Sequence, residues 1–234
     1  MRRVAIIPAR GGSKRIPHKN VKPFCGKPMI AWSIEVAKAS GCFDKIIVST
    51  DDHEIADIAE QWGAEVPFLR PHGLADDYTG TLPVIRHAIQ WLSDHELTVD
   101  YACCVYATAP FLTSEDLMRG CELIQQSGVS FVFSVTSYAF PIQRAIRITE
   151  NGRVAMFNPE HFQTRSQDLE DAWHDAGQFY WGKAEAWLEE KSIFSADSVP
   201  LQLPRHRVQD IDTSEDWARA EWLFKAMQAE TEAQ

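Results

Sequence analysis

A loop rich in glycine and positive charge follows the first apolar run of the chain. Gly11, Gly12 and Ser13 carry small side chains or none, so backbone N–H groups there can approach an anion closely. Fixed positive charge comes from four neighbouring residues: Arg10, Lys14, Arg15 and Lys19. Arginine offers planar, two-pronged contact with phosphate oxygens, whereas lysine acts as a mobile point charge. The loop therefore suits a polyphosphate, and the alternative is a solvated basic turn.

The place of this loop along the chain favours the functional interpretation. Residues 4–7 are apolar and end at Pro8, which predicts a buried strand that leads into the loop. Proteins of the α/β class bind their ligands at the carboxyl ends of such strands. The patterns Gly-x-x-x-x-Gly-Lys-Ser/Thr and Gly-x-Gly-x-x-Gly are absent from the sequence, so neither a P-loop ATPase nor a dinucleotide-binding dehydrogenase is supported.

A pair of aspartates late in the chain forms a second candidate site. Asp210 and Asp212 are two residues apart, so on an extended segment both carboxylates project to one face while Ile211 is buried on the other. Two such carboxylates suit Mg²⁺, which prefers oxygen ligands, keeps several waters and is shared with substrate phosphates. The alternative is that Asp212 or Thr213 merely caps the last helix. We predict a Mg²⁺ site, because a polyphosphate substrate needs a divalent cation.

A third group of polar residues follows the third predicted strand. Arg70 stands at the end of that strand, where it can meet a base or a phosphate, and Thr79 and Thr81 can hydrogen-bond a nucleotide. A surface Arg-Pro turn and a helix cap at Thr81 are the alternatives. The neighbouring Asp76 and Asp77 could equally be solvated, so the sequence assigns them no role.

Hydrophobic periodicity predicts the alternating strands and helices that would position these groups. After the first strand, strands are predicted at residues 45–50, 65–69, 101–106, 131–136 and 178–181. Helices are predicted at residues 29–40, 51–63, 82–92, 114–127 and 184–191, and from a cap at Thr213 to about residue 227. This rhythm predicts an α/β fold with a doubly wound, mostly parallel sheet.

The pattern changes beyond Ser137. Residues 144–148 and 153–157 flank an Asn-Gly pair and predict a β-hairpin, whereas residues 158–176 are polar and predicted to be irregular. This excursion, residues 138–176, is either a loop folded on its own body or an arm that packs against a second subunit. We expect residues 1–234 to form one domain that carries this arm.

The distribution of charge argues against a polymeric anion as the partner. The formal net charge is −10, yet the first 34 residues hold eight Lys or Arg and no Asp or Glu. A basic pocket in an acidic protein suits a small polyanion, so we expect no nucleic acid partner.

The cysteines and the apolar runs bear on the compartment. The five cysteines form no Cys-x-x-Cys pair, and Cys103 and Cys104 lie in an apolar run, which predicts buried, reduced thiols and a cytoplasmic protein. The apolar run after Met1 is too short for a signal peptide, and no run has transmembrane length, so we expect no membrane association.

A resemblance to a known family rests on the loop itself. The run from Ile7 to Asn20, Ile-Pro-Ala-Arg-Gly-Gly-Ser-Lys-Arg-Ile-Pro-His-Lys-Asn, resembles the signature of cytidylyltransferases that activate nine-carbon 2-keto sugar acids, the CMP-sialic acid synthetase family. It most closely resembles the pseudaminic acid branch, and further similarities extend over nearly the whole chain.

The resemblance implies a fold like that of nucleotide-diphospho-sugar transferases. It also implies transfer of CMP from CTP to the anomeric hydroxyl of the sugar acid, with release of pyrophosphate. Mg²⁺ would be the cofactor, and the 138–176 arm would form a homodimer.

The resemblance also implies roles for individual residues. Catalysis would depend on Arg10, Lys19, Asp210 and Asp212, with the metal on the two aspartates. Nucleotide binding would use the loop and the segment around Arg70: Ala9, Arg10, Gly11, Gly12, Ser13, Lys14, Lys19, Asn20, Arg70, Thr79 and Thr81. The sugar acid would be bound by Tyr106, Arg144, Arg165, Gln178 and Tyr180. As alternatives, Arg144 is a charge on a strand face and Tyr180 is a core residue with a polar tip.

One segment departs from the sialic acid branch of the family. Where that branch has Gln, Ser and Arg, this chain has Tyr106, Ala109 and Leu112. We predict that Phe111 and Leu112 give the sugar pocket an apolar lining that favours pseudaminic acid, whose terminal deoxy carbon replaces a hydroxyl of sialic acid. The alternatives are sialic, legionaminic or 3-deoxy-manno-octulosonic acid as the substrate, and a non-catalytic nucleotide-binding module.

Overall fold

Strands and helices alternate along most of the chain, of which the computed structural model describes residues 1–232. The strands are β1 (Arg3–Pro8), β2 (Pro23–Phe24), β3 (Lys27–Pro28), β4 (Lys45–Ser49), β5 (Tyr101–Val105), β6 (Phe131–Ser137), β7 (Ile146–Ile148), β8 (Val154–Met156), β9 (Trp173–Lys183) and β10 (Ser198–Gln202). The helices are α1 (Met29–Ser40), α2 (His53–Gln61), α3 (Thr81–Asp94), α4 (Ser114–Ser127), α5 (Ala184–Leu188) and α6 (Ser214–Glu232).

The central sheet contains six of these strands in the spatial order β10-β6-β9-β5-β1-β4. β1 pairs in parallel with β4 and with β5, and β10 pairs in parallel with β6. β9 lies between β5 and β6 and runs antiparallel to both. The prediction of an α/β fold with a mostly parallel sheet is confirmed.

The first strand shows why the sheet is covered on both faces. Val4 and Ile6 are buried in one hydrophobic cluster, whereas Ala5 and Ile7 are buried in another, because alternate residues of a strand point to opposite faces. A strand buried on both faces requires a layer of helices on each side. Residues of α3 and α5 complete the first cluster, and residues of α1 and α4 complete the second.

Local signals at the helix ends agree closely with the structure. A capping box begins α4, in which the side chains of Thr113 and Asp116 each accept a hydrogen bond from the backbone N–H of the other. At α2 the cap is Asp52 and not Asp51: the Asp52 carboxylate accepts hydrogen bonds from the backbone N–H groups of Glu54 and Ile55 at 2.8 and 3.1 Å. The Asp51 side chain is thereby free to reach the loop after β1.

Two strand assignments need correction. Residues 65–69 make only isolated parallel bridges to β4 and its end, and they do not form a strand; Pro67 lacks the N–H that a continuous ladder would need. The strand β10, in contrast, has no sequence signal because Pro200 interrupts it. Its position at the edge of the sheet tolerates a proline, since one side of the strand makes no ladder bonds.

The strand β9 is longer than the four residues predicted at 178–181. It begins at Trp173, inside the segment expected to be irregular, and its pairing with β6 shifts register between Phe133 and Val135. The shift marks a bulge that bends the strand beside the candidate site.

The excursion after β6 contains the predicted hairpin, formed by β7 and β8. Gly152 in its turn has φ +69°, a conformation that favours glycine. The hairpin leaves large apolar side chains exposed, with Ile148 78% and Phe157 60% accessible.

The structure also bears on the predictions about the cysteines and about membrane-spanning segments. The cysteines are free, and Cys103 and Cys104 are fully buried as predicted. No helix within residues 1–232 is long and apolar enough to cross a membrane.

Candidate active site

A cleft of about 270 Å³ lies at the carboxyl edge of β1, β4 and β5. Four segments form it: the loop after β1, Arg70, the start of α3, and the segment after β5, with Asp212 at its rim. The predicted site residues that line this cleft are Arg10, Ser13, Lys14, Lys19, Asn20, Arg70, Thr79, Thr81, Tyr106 and Asp212. The cleft is therefore where parallel strands of an α/β fold present ligand-binding loops.

The loop after β1 is held in shape by side chains rather than left open. The N–H of Gly11 donates to Asp51 Oδ1 at 3.0 Å, and a Cβ added at Gly11 would lie 2.6 Å from Asp52 Oδ2. Asn20 Nδ2 donates to the carbonyl of Arg10 at 2.9 Å. Gly11 is thus required for close packing on Asp52, and its N–H donates to Asp51 in this structure, so its contact with an anion stays a prediction. The predicted residues Ala9, Gly11 and Gly12 do not line the cleft.

The four cations of the loop converge on two carboxylates. Arg10 NH1 lies 2.6 Å from Asp77 Oδ1, and Lys14 Nζ contacts the other oxygen of Asp77. On the opposite side, Arg15 NH2 and Lys19 Nζ lie 2.8 and 3.4 Å from the oxygens of Asp212. Each carboxylate therefore bridges two cations at the mouth of the cleft.

Asp77 is a site residue that the sequence did not identify. Hydrogen bonds from Lys14 and then Arg10 hold the pKa of its carboxyl below the ordinary value, so Asp77 is ionised at neutral pH. The loop that carries it is shaped by Asp76, whose Oδ1 accepts from the N–H groups of Tyr78 and Thr79. A polyphosphate that enters the cleft must compete with Asp77 for the same cations.

Replacing Asp77 by asparagine is therefore expected to strengthen the binding of CTP, the triphosphate that the sequence resemblance implies. Exposed ion pairs are weak, so release of the two cations should lower the Kd for CTP by only about three- to tenfold. Titration calorimetry at low ionic strength measures the change, which should shrink as salt screens the charges. Asp94→Asn, which removes an exposed carboxylate on α3, is the control for net charge. An unchanged or weaker affinity in Asp77→Asn would contradict this competition.

Arg70 is a buried cation at the base of the cleft. Only 6% of the residue is accessible, and its guanidinium donates to the carbonyls of Ser49 at 2.7 Å and Leu74 at 3.3 Å. Burial lowers the pKa of Arg70, and no carboxylate among the described residues forms an ion pair with it. Its Nε has no partner within residues 1–232. An electron-rich ligand group beside Arg70 would compensate its buried charge.

The aspartate pair lies on the segment before α6. Ile211 between them is 1% accessible, and Asp212 lines the cleft whereas Asp210 does not. Desolvation, followed by the charge of Asp212, raises the pKa of Asp210. The last helix is capped by Thr213 and not by Asp212, since Thr213 Oγ1 accepts a hydrogen bond from the N–H of Asp216 at 3.2 Å. The Asp212 carboxylate is thus left for the cleft.

The aspartate pair fits a Mg²⁺ ion only in part. The two carboxylates supply oxygen ligands, but no cluster of three or more His, Cys, Asp or Glu suited to a metal occurs among the described residues. Phosphate oxygens and waters would have to complete the coordination, as is usual for Mg²⁺ at nucleotide sites.

A side cavity of about 390 Å³ adjoins the cleft. Gly80, Thr81 and Tyr106 line both spaces, and the Tyr106 hydroxyl lies 3.2 Å from Thr81 Oγ1. Tyr180, one of the predicted sugar-binding residues, lines the side cavity with its ring 5.3 Å from that of Tyr106. The two spaces are therefore neighbours, with Tyr106 in the wall that they share.

Other residues predicted to meet the sugar lie elsewhere. Gln178 is 3% accessible and donates to the carbonyl of Arg207 at 2.6 Å, away from both spaces. Arg144 lies on the excursion after β6, and Arg165, also there, pairs with Asp168 at 2.7 Å. Neither arginine lines the cleft or the side cavity.

The predicted apolar lining by Phe111 and Leu112 is wrong. Both residues are 3% accessible: Phe111 packs against Phe224 of α6, and Leu112 lies in the core beneath the sheet. Ala109 is buried in the same core cluster. Of the three positions that differ from the sialic acid branch, only Tyr106 reaches the site, because the chain turns inward after Thr108.

Residues 4–229 match the family model described as cytidylyltransferase. The pseudaminic acid cytidylyltransferase of Campylobacter jejuni subsp. jejuni serotype O:2 is 47% identical over 225 residues, which cover 96% of this chain and 97% of that protein. The CMP-N,N′-diacetyllegionaminic acid synthase of Legionella pneumophila is 35% identical over 235 residues, covering 97% and 98%.

A solved structure of a CMP:2-keto-3-deoxy-manno-octonic acid synthetase complexed with CTP superposes with a TM-score of 0.71. It is 14% identical, and the alignment covers 97% of this chain and 100% of that one. At this identity the likeness shows a common fold.

Proposed function

The chain belongs to the cytidylyltransferase family, and from this premise we propose that it joins CMP from CTP to the anomeric hydroxyl of a nine-carbon 2-keto sugar acid. The observation that carries the proposal is the convergence of Arg10, Lys14, Arg15 and Lys19 on one cleft that adjoins a second cavity. The first space suits a triphosphate and the second suits an uncharged or weakly polar body of the size of a sugar. Pseudaminic acid is the preferred substrate, as the name of the 47% identical relative supports.

The reaction that we propose is an in-line displacement at phosphorus. The anomeric hydroxyl loses its proton to water and its oxygen forms a bond to the α-phosphorus of CTP. The bond from that phosphorus to the bridging oxygen of the β-phosphate breaks, and pyrophosphate leaves. Little covalent chemistry falls to the protein, so positioning and neutralisation of charge must supply the rate.

The loop cations have distinct tasks in this proposal. Arg10 and Lys14 hold the leaving pyrophosphate once Asp77 is displaced, and Lys19 bridges the loop to the aspartate segment through its bond to the carbonyl of Ile211 at 2.8 Å. Arg70, buried and without a carboxylate partner, meets the base or a phosphate oxygen from below. Thr79 and Thr81 hydrogen-bond the nucleotide at one side of the cleft.

Asp210 and Asp212 hold Mg²⁺ in the proposed complex. When bound, such an ion neutralises phosphate charge and lowers the pKa of a coordinated hydroxyl. Asp212, already at the cleft, orients Arg15 and Lys19 in addition. The pairing of one carboxylate with two cations would rearrange when a triphosphate brings its own charge.

The test of this function compares sugar acids as acceptors. With CTP saturating and Mg²⁺ present, kcat/KM from pyrophosphate release is expected to be at least tenfold higher for pseudaminic acid than for N-acetylneuraminic acid. The reason is that a sugar acid that matches the pocket less well leaves a polar group unpaired there, and each such group costs about 1–3 kcal/mol. Equal values, or a preference for N-acetylneuraminic, legionaminic or 3-deoxy-manno-octulosonic acid, would overturn the substrate and leave the reaction class standing.

The alternative to an enzyme is a non-catalytic nucleotide-binding module. It would bind CTP and release no pyrophosphate with any sugar acid. The side cavity favours the enzyme, because a module that only senses a nucleotide needs no second space beside the α-phosphate.

We also propose that the protein is a cytoplasmic homodimer that pairs through the arm at residues 138–176. The exposed apolar side chains of this arm support the proposal, since Ile146, Ile148, Val154 and Phe157 would be covered in a dimer. A molar mass in solution equal to that of one chain would contradict it.

A further inference from the structure

One carboxylate stands in the side cavity without a cationic partner. The wall there is largely apolar and is formed in part by Leu82, Pro83, Ile193 and Phe194. Asp175 is the acidic residue of this wall, and no Lys, Arg or His among the described residues forms an ion pair with it. A carboxylate in apolar surroundings needs donors for its lone pairs.

Two neutral donors fix the orientation of this carboxylate. The N–H of Gly177 donates to Asp175 Oδ1 at 2.8 Å, and the hydroxyl of Tyr180 donates to Oδ2. Gly177 has φ +62°, which favours glycine at this bend of β9. Burial, and then the neighbouring Tyr106, raises the pKa of Tyr180, so its hydroxyl stays protonated and remains a donor.

The hydrogen-bonding capacity of Asp175 is only partly used. An ionised carboxylate offers about four lone-pair sites, and the two intramolecular donors occupy one on each oxygen. A ligand that fills the side cavity excludes water from the remaining sites. It must then donate a hydrogen bond itself, or the complex bears the cost of an unsatisfied charged acceptor.

The negative charge also fixes which end of an anionic sugar enters. The cleft holds five cations, Arg10, Lys14, Arg15, Lys19 and Arg70, whereas Asp175 lies in the side cavity. A sugar carboxylate placed beside Asp175 would meet like charge in a poorly solvated space. The uncharged substituents of the sugar must therefore enter first.

We propose that Asp175 is a specificity-determining residue that accepts a hydrogen bond from an acylamino N–H of the sugar acid. An acylamino group pairs an N–H donor with an apolar acyl methyl, and the cavity pairs the Asp175 carboxylate with the apolar wall of Leu82, Pro83, Ile193 and Phe194. An N–H, unlike a hydroxyl, cannot turn to present an acceptor. The inference deepens the proposed function and rests on it.

The test uses pseudaminic acid and two analogues, each with one acetamido N–H replaced by an ester oxygen. The ester keeps the shape of the group and removes only the donor. Wild-type protein is expected to show a kcat/KM about 10- to 100-fold lower for at least one ester, because hydrogen bonds to charged groups contribute about 1.5–3 kcal/mol. In Asp175→Asn this ratio should fall to about one or reverse, since the new amide can donate to the ester oxygen.

Two further variants separate this role from a structural one. Tyr180→Phe removes the hydroxyl that orients Asp175 and should reduce the discrimination in part. Asp197→Asn alters a carboxylate that is likewise held by two donors, the N–H and Oγ of Ser130, but lies outside both spaces, so its ratio should equal that of wild type. The Kd for CTP should be the same in all of these proteins.

The possible results separate a failure of the role of Asp175 from a failure of the proposed function. An unchanged ester ratio in Asp175→Asn, or no discrimination by the wild type at either position, overturns the role of Asp175 alone. If the wild-type protein releases no pyrophosphate with any sugar acid, the proposed function fails and this inference fails with it.

Discussion

Replacing Asp212 by asparagine is expected to lower kcat by about a hundredfold or more, as does the loss of one preorganised electrostatic group at other active sites. The variant keeps the shape of the side chain and removes a charge that lies at the cleft between Arg15 and Lys19. If the carboxylate also holds Mg²⁺, the Mg²⁺ concentration for half-maximal rate should rise. Steady-state kinetics over a range of Mg²⁺ concentrations measures both effects.

A direct binding measurement separates the two roles of Asp212. Calorimetric titration of Mg²⁺ into the protein with a non-hydrolysable CTP analogue should show weaker binding in Asp212→Asn. Asp210→Asn should weaken it too, although Asp210 itself does not line the cleft. Activity within a few-fold of wild type in Asp212→Asn would remove this aspartate from the mechanism.

The second large effect is expected at Lys19. Its Nζ donates to the carbonyl of Ile211 at 2.8 Å and lies 3.4 Å from Asp212 Oδ1, so it joins the loop after β1 to the aspartate segment. Lys19→Ala should lower kcat/KM for CTP by about a hundredfold, because a charge preorganised for phosphate is lost. Arg10→Ala should also impair the use of CTP.

The control for Lys19 is a lysine on the same segment. Lys22 lies with its Nζ 4.5 Å from the centre of the Trp217 ring and does not line the cleft, so Lys22→Ala should retain CTP turnover. Thermal unfolding should show that each variant is folded, since the three side chains are only half-buried and lie outside the hydrophobic core. Normal CTP turnover in both Lys19→Ala and Arg10→Ala would show that the loop is only a solvated basic turn.

Local sequence signals predicted the parts of the fold that depend on neighbouring residues. The helix α1 agrees with its predicted bounds, and the cap at Thr113 is recognisable because the side chains that form it are three residues apart. The loop after β1 was identifiable because its glycines and cations are contiguous. Its location at the sheet edge followed from the strand that precedes it.

Features that depend on distant residues were not predictable in this way. Asp77 meets Arg10 across 67 positions of the chain, and no local pattern distinguishes it from a solvated aspartate. Asp175 acquires its setting from α3 and from residues 193–194, which enter the cavity only in the folded chain. The strand β10 contains a proline that its edge position tolerates, and Phe111 and Leu112 are buried by α6 and by α1 and α4.

The most direct test of transfer of CMP from CTP to a sugar acid is a mass balance of the reaction. Phosphorus NMR of protein, CTP, Mg²⁺ and pseudaminic acid should show a new phosphodiester signal and pyrophosphate growing in equal amounts, with both absent when the sugar acid is omitted. CTP binding with neither product would indicate a non-catalytic module. Pyrophosphate formed without the sugar acid would indicate hydrolysis of CTP, and either result would contradict the proposed transfer.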